Sequence, residues 1–470
     1  MLSVFVKMLS VKMKLYQLSN SQFLNTKSLI TFTFSVVFGP LSRKVNKKSF
    51  KMSSKSRKRL KKLKIFWNHS QKYLQSIFLI GFSLFLYQNI ERYRDNQVTN
   101  FKFQVPFKNI PKTSQRNEST KYILFWTSWW NFDYWHMGAS VLGEDYLKSI
   151  DCPVTNCIFS HNRTFLPQPT DFDALIFHMG SMNDIDDLPA FRRDDQIYIV
   201  ANEEAPFYSR PDLKTEDYFF NMTFTYRLNS DIFWNYGLFA DIETSSIVAP
   251  SRDVKWKKPE IVDDPELLKF IKTSKTKMAA WFSSHCGVAS NRENLAKKIQ
   301  EFMQVDIYGK CGNLTCSIPN IYSQDGRQHC TDMLNTTYKF YLSFENSICT
   351  DYMTEKVFLN MDNYIVPILY NGITDMQHFL PPHSYINVND SSSVEDLVNY
   401  LKYLDKNPQE YANYFWWKKY YKVIPDTNPY TYCEMCKRLN NWNVKERRQV
   451  YLDVHNWHSR ETCYDMGNNF

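Results

Sequence analysis

Three absences divide this 470-residue sequence. The first 72 residues contain no Asp or Glu, no Cys precedes Cys152, and no internal repeat or low-complexity segment occurs outside the basic tail. The first absence explains the net charge of +9: residues 1–72 hold 17 of the 57 Lys and Arg residues, so beyond them 40 basic residues face all 48 acidic ones, a net of −8. The basic balance therefore belongs to the tail, which removes the case for a nucleic-acid-binding body. The second absence places all ten cysteines on one side of the chain, the pattern of an oxidising compartment. A further lack, of a second CxxC to accompany Cys433–Cys436, argues against a zinc or redox site there. With 43% hydrophobic and 16% aromatic residues the chain can bury a large core, and its length suggests two domains with additional segments.

The tail leads from SRKRLKKLK (56–64) into the uncharged run IFLIGFSLFLY (77–87). Extended to Tyr73–Ile90, this window is 18 residues long, just enough to cross a bilayer with Tyr73 and Tyr87 at its interfaces. Lys and Arg on its N-terminal side predict a cytoplasmic tail and a luminal body. A signal peptide or a buried helix is the competing reading, and Met13 and Met52 could serve as alternative starts. A weaker apolar run, Leu29–Leu41, is interrupted by Gly39 and Pro40. Beyond the span lie six sequons, at Asn117, Asn162, Asn221, Asn313, Asn335 and Asn389. The close spacing of Cys152/Cys157, Cys311/Cys316 and Cys433/Cys436 predicts local disulfides.

Residues 91–119 are polar and aperiodic, a stem. From 120 onward short apolar runs predict strands at Tyr122–Trp126, Ala174–His178 and Gln196–Val200, with a mixed stretch at Asn221–Arg227. Residues 251–277, rich in Lys, Pro and Asp, predict a connection between domains. The second half alternates: strands at Ala279–Phe282, Val305–Tyr308, Phe340–Phe344, Tyr364–Tyr370 and Tyr385–Val388, and helices at Asn291–Gln304, Thr354–Asn360 and Ser393–Leu404. The first helix should turn Leu295, Ile299, Phe302 and Met303 to one face. Strand–helix alternation implies α/β architecture with a parallel sheet, and ligands bind at the carboxyl ends of such strands.

The chemistry concentrates in FENSICTDYMTEK, Phe344–Lys356. A strand ends at Phe344 and delivers Glu345 and Asn346 to its carboxyl end; Thr354-Glu355-Lys356 then opens a helix, where free N–H groups and a lysine favour an anion. The alternative is that Glu355 and Lys356 are solvated surface charges. This run resembles the signature of the α1,3-fucosyltransferase family (glycosyltransferase family 10). FNMTFTYRLNSDIFWNYG (220–237) resembles the family's Tyr-Arg-x-x-Ser-Asp segment, Met278–Gly312, through AAWFSSHC, Arg292 and DIYGKCG, the start of its donor domain, and Cys433/Cys436 its C-terminal CxxC. The resemblance covers about residues 120–465.

The resemblance implies a GT-B architecture, two Rossmann-like domains facing a cleft, here preceded by the transmembrane helix. The corresponding boundaries are a cytoplasmic tail at 1–72, a signal-anchor at 73–90, a stem at 91–119, an acceptor domain at 120–262, a GDP-fucose domain at 263–430 and a Cys-containing segment at 431–470. By motif position, Arg292 and Lys356 would hold the diphosphate, and Asn346, Tyr352 and Glu355 would contact the rest of the donor. Asn202-Glu203-Glu204-Ala205-Pro206 stands where the family has Glu-Ser-Pro, which matches Glu204 to the catalytic base; Ala205 replaces the Ser and Glu203 offers a second carboxylate. The implied partners are GDP-fucose, a substrate rather than a cofactor, and a glycoprotein N-glycan acceptor in the Golgi membrane. Oligomeric state is left open. No metal site is predicted: Asp184–Asp187 contains a DxD, but in the half that lacks the donor motif. His178 and Trp126, Trp129, Trp130 and Trp135 are candidates to border the acceptor cleft, with core packing the alternative.

Segments 151–157, 284–286 and 457–463 look like the invertebrate enzymes that fucosylate O3 of the Asn-linked core GlcNAc. An outer-arm N-acetyllactosamine acceptor is the alternative. A catalytically silent lectin or scaffold would lack the diphosphate cluster, and a glycosidase would need two carboxylates across one bond and no nucleotide site.

Overall fold

The computed structural model describes residues 98–100, 117–129, 135, 141–181, 188–208, 219–316, 324–425, 427–442, 449–451, 453–459 and 462–464. The predicted tail, the 73–90 span, most of the stem and the Asp184–Asp187 stretch lie outside them. Among the described residues no helix is long and apolar enough to cross a membrane.

After β1 (Val98–Asn100), the first half builds a sheet from β2 (Lys121–Phe125), β3 (Val141–Leu142), β4 (Cys157–Ser160), β5 (Ala174–His178), β6 (Ile197–Asn202), β7 (Met222–Thr225) and β8 (Ile232–Phe233). Their order is β3-β4-β2-β5-β6-β7-β8, parallel throughout except for β3. Side chains alternate across it as a pleat requires: Ile123, Ile176 and Ile199 enter one core, Leu124, Leu175 and Val200 the other. Because both faces are covered, β6 reads as a continuous buried run, IYIVAN. Helix α1 (Glu144–Ser149) lies beside the edge strand β3 and buries Leu147 in the first of these cores.

The chain then forms β9 (Leu238–Asp241) and β10 (Ile247–Ala249) and enters the second half through α2 (Pro265–Ser274). That helix lies inside the predicted 251–277 connection. Asp264 caps it by accepting from Leu267 N, and Pro265 sits at its first turn, where a missing N–H costs nothing. The second sheet contains β11 (Lys277–Phe282), β12 (Val305–Tyr308), β13 (Tyr338–Phe344), β14 (Val366–Tyr370) and β15 (Ile386–Asn387), ordered β12-β11-β13-β14-β15 and wholly parallel. Its helices are α3 (Arg292–Gln300), α4 (Gln324–Thr337), α5 (Glu355–Met361) and α6 (Val394–Lys406). Leu295, Ile299 and Met303 join this core as predicted, whereas Phe302 is exposed because α3 stops at Gln300 and the face no longer continues.

The halves are not consecutive beads. β16 (Tyr421–Ile424) pairs antiparallel with β9, and α7 (Asn428–Asn440) packs on the first sheet through Tyr432, Met435 and Leu439. A strap follows, made of β17 (Gln449–Tyr451), paired with β1, and α8 (Val454–Ser459). The described residues beyond 431 thus contribute Tyr432, Met435, Leu439, Tyr451 and Trp457 to the cores on the two faces of the first sheet.

Disulfide pairing departs from the local expectation. Cys152 bonds Cys433 and Cys157 bonds Cys436, bridges that span 281 and 279 residues. Cys433 and Cys436 lie one turn apart on α7, so both sulfurs face the edge that carries Cys152 and Cys157. Cys311 bonds Cys286, Cys316 bonds Cys330, and Cys349 bonds Cys463.

The sequons divide. Asn117, Asn162, Asn313 and Asn389 are exposed and Asn335 is half-buried with its Oδ1 on Tyr364 N, 2.9 Å. Asn221 is buried; its Oδ1 accepts from Arg192 and from Tyr198 N at 2.9 Å. It serves the fold, and a glycan there is incompatible with this packing.

Two outcomes are expected. Non-reducing peptide maps will show 152–433 and 157–436 crosslinks, and the Cys157→Ser/Cys436→Ser pair will lower unfolding free energy by about 2–5 kcal/mol in denaturant titration. Asn221→Gln will leave glycan mass unchanged while costing about 1–3 kcal/mol of stability.

Candidate active site

Two strand ends bring the site together. β6 closes on Asn202, and the chain turns through Glu203 and Glu204 into a short 3-10 turn at Pro206–Tyr208. Asn202 Oδ1 accepts from Glu204 N, 3.1 Å, and so holds the turn. Glu203 is buried and its carbonyl accepts from Tyr236 OH, 2.8 Å. Glu204 is half-buried, and its carboxylate crosses to the second half. There Glu204 Oε2 accepts from Tyr352 OH at 2.8 Å and from Asn346 Nδ2 at 3.4 Å. Of the two adjacent carboxylates, Glu204 is therefore the one aimed at the donor motif.

Tyr352 is fully buried, between Tyr226 and Tyr236. Burial first, and the Glu204 carboxylate second, hold its phenol well above the ordinary value, so it donates. The preceding Asp351 takes a left-handed φ of 61° and its Oδ2 accepts from Leu228 N, 3.1 Å. That turn lets the loop reverse and bring Tyr352 inward. The halves approach so closely that a Cβ on Gly237 would stand 2.0 Å from Phe358 of α5.

On the far side, β13 ends at Phe344 and presents Glu345, which is wholly buried. Glu345 accepts from Thr354 N at 2.8 Å and from the Thr354 hydroxyl. Glu345 thus holds the N-cap residue Thr354 in place, and Lys356 adds a full positive charge in the first turn of α5. Lys356 Nζ lies 2.8 Å from Thr354 Oγ1, 3.0 Å from Glu355 Oε1 and 3.5 Å from Glu345 Oε2. Burial pulls its ammonium down, and the flanking Glu355 and Glu345 carboxylates more than offset this, leaving it raised and charged. Burial raises Glu345, against the pull of Lys356.

Arg292 opens α3 but points inward. NH1 donates to Phe344 O at 2.7 Å, and NH2 to His285 O at 2.9 Å and Ser283 Oγ at 3.2 Å. It binds the ends of β11 and β13 together, with Nε buried and unpartnered among the described residues. Asn346 Oδ1, Ser347 Oγ and Asn371 Nδ2 also lack partners among the described residues, and all belong to the carboxyl edge of the second sheet. Ser347 lay inside the quoted motif; Asn371, just past β14, had no sequence signal of its own.

Other candidates are not part of this cluster. His178 is fully buried, its Nδ1 3.1 Å from Ser181 Oγ, and burial pushes it down to about 3, so it is neutral. Trp126 and Trp135 are buried, the latter stacked on Trp234 with centroids 6.0 Å apart. Trp129 is half-buried, 6.4 Å from the His178 ring, and Trp130 lies outside the described residues. No cluster of three metal-ligating side chains occurs among the described residues.

A family profile for the N-terminal region of fucosyltransferases matches residues 118–237, and one for the C-terminal region of glycosyltransferase family 10 (fucosyltransferase) matches 272–457. Alpha-(1,3)-fucosyltransferase C of Drosophila melanogaster is 39% identical over 342 residues, 72% of this chain and 78% of that one. Alpha-(1,3)-fucosyltransferase fut-1 of Caenorhabditis elegans is 35% identical over 345 residues, 71% of this chain and 70% of that one. A crystal structure of an alpha1,3-fucosyltransferase with GDP-fucose superposes with a TM-score of 0.42 at 14% identity, over 77% of this chain and 97% of that one.

The contact across the halves should be measurable as an energy. In a double-mutant cycle of Tyr352→Phe and Glu204→Ala, urea denaturation is expected to show a coupling of about 1–3 kcal/mol. Strictly additive losses would mean that the phenol and the carboxylate do not meet.

Proposed function

Because this chain belongs to the fucosyltransferases of glycosyltransferase family 10, we propose that it moves L-fucose from GDP-fucose to O3 of a GlcNAc residue with inversion. The observation that carries the reading is the pairing of Glu204, at the end of β6, with the Asn346–Lys356 loop of the second sheet. A base and a cation thus face each other from two parallel sheets, which supports a GT-B arrangement with the acceptor on the first sheet and the nucleotide on the second.

In this mechanism GDP leaves while positive charge develops at the anomeric carbon. Lys356 neutralises the departing diphosphate, which stabilises the transition state more than the ground state. Arg292 keeps the ends of β11 and β13 in place beneath it, and Asn346 and Glu355 contact the donor. Glu204 takes the proton of the attacking hydroxyl, a role that typically contributes about 10²–10⁴-fold. Attack on the opposite face converts the β-linked donor to an α-linked product. The residues named supply charge and proton transfer without a metal ligand set. Tyr352 enters this scheme as the group that orients Glu204.

The acceptor we propose is the Asn-linked GlcNAc of the N-glycan core, on the strength of the segments at 151–157, 284–286 and 457–463. The outer-arm alternative draws on a relative named 4-galactosyl-N-acetylglucosaminide 3-alpha-L-fucosyltransferase from Homo sapiens, 30% identical over 335 residues. We further propose a type II Golgi protein with a luminal body. The acid-free tail, the 73–90 apolar run, five disulfides and the exposed sequons support this placement.

Secreted protein starting at residue 91, given GDP-fucose with a core glycopeptide and N-acetyllactosamine side by side, is expected to fucosylate the core glycopeptide. Mass spectrometry identifies the product. Lys356→Ala and Glu204→Gln should each reduce transfer by about 10²-fold or more. Transfer to N-acetyllactosamine alone would replace the acceptor, and failure to bind GDP-fucose would sink the reading.

A further inference from the structure

Within WHSRETC (457–463), Trp457–Ser459 and Thr462–Cys463 are not used by the chemistry above, yet the structure places these described residues directly behind Glu204. Its anchors are in the first half: Tyr451 OH donates to Asp231 Oδ2 at 2.8 Å, and Arg227 lies over the Trp457 ring, 4.5 Å to its centroid, while donating to Trp457 O. From there α8 reaches the loop that carries Glu204. His458 is fully buried, and its Nε2 is 3.1 Å from Asn202 Nδ2. The direction of this bond follows from its neighbour. Glu204 N–H can only donate, so the oxygen of Asn202 must face it. Nδ2 therefore faces His458, and the imidazole must accept through Nε2 as the neutral tautomer protonated on Nδ1.

The same segment reaches the other partner of the base. Thr462 Oγ1 donates to His458 O at 2.8 Å, and Thr350 N donates to Thr462 O at 2.6 Å. Cys463 is bonded to Cys349, and Tyr464 N donates to Ile348 O at 2.8 Å. Tyr352 follows two residues after Thr350, and its hydroxyl returns to Glu204. Ala205, Tyr226, Cys349 and Tyr352 form one buried cluster against which Cys463 packs. The connections close a ring: Glu204, Asn202, His458, Thr462, Thr350, Tyr352 and Glu204 again.

We propose that this strap is the positioning element of the base. His458, acting through Asn202, sets the backbone that aims Glu204, while the Cys349–Cys463 bridge sets the loop that aims Tyr352 at the same carboxylate. His458 touches neither substrate and transfers no proton; it acts through Asn202. The proposal rests on Glu204 being the base. It separates two effects that are often joined: the strap governs the proton-transfer half of the site, and Lys356 on α5 governs the anion half.

The test uses the full-length chain in detergent, with turnover of GDP-fucose onto the accepted glycan measured beside GDP binding by calorimetry. His458→Phe removes the acceptor for Asn202 and is expected to lower kcat by about tenfold or more while GDP affinity stays within about twofold. His458→Gln, whose side-chain oxygen can accept from Asn202, should recover most of that loss. Asn202→Ala, which breaks the same link from the other end, should reproduce the split without touching the strap. In a Glu204→Gln background, His458→Phe should cost nothing further, since residues that act as one unit are not additive. Unchanged kcat in His458→Phe and Asn202→Ala would overturn the proposal. So would a GDP affinity that falls in step with kcat, or a full additional loss in the Glu204→Gln background. Full turnover by Glu204→Gln itself would be a different failure, because it removes the base assignment along with the element said to aim it.

Discussion

The hydrogen bond from Tyr352 to Glu204 joins elements that follow the carboxyl ends of strands in two different sheets. One end sits on a turn after β6, the other on a loop after β13, and 148 residues separate them. A phenol buried this deeply does not ionise, so the contact has a fixed polarity: the tyrosine gives and the carboxylate accepts. Because Tyr226, Tyr236, Ala205 and the Cys349–Cys463 bridge pack around Tyr352, leaving its phenol unpaired at this depth would cost about 1–3 kcal/mol.

A second constraint lies on the cation side. Glu345 has no exposed surface, and an isolated carboxylate could not stay charged there. Thr354 and Lys356 compensate it, and in doing so they fix where the ammonium stands. Lys356 is then oriented before any anion arrives, which lowers the ordering cost of binding. Arg292 contributes through the same logic. Committed to the carbonyls of Phe344 and His285, it stabilises the strand ends on which the cluster is mounted.

Much of the second sheet was legible along the chain. β11, β12, β13 and β14 carry apolar runs bounded by turns, and α6 shows the helical repeat of Leu397, Leu401 and Leu404. The first sheet was harder to read. β3 and β8 contain two residues each, too short to carry a period, and β9 and β10 belong to a separate three-stranded sheet whose third member, β16, comes from beyond the second sheet. The helix α2 was hidden by the Lys, Pro and Asp around it, although Asp264 and Pro265 are the signals of a helix start.

What the sequence by itself determined was the alternation that makes parallel sheets and the motif at 344–356; the family resemblance matched Glu204 to the Glu-Ser-Pro position. These are local properties, set by residue type and spacing within a few turns of chain. Which cysteines pair, which sequon is buried, and which of Glu203 and Glu204 faces the donor loop were decided only in three dimensions. Cys157 meets Cys436 because α7 returns from the far end of the chain to cover β4, and spacing between neighbouring cysteines says nothing of that return. Likewise nothing in WHSRETC announces that His458 stands behind Asn202, 256 residues earlier. That proximity exists because the strap covers an apolar face of the first sheet, and its course carries it past the turn after β6.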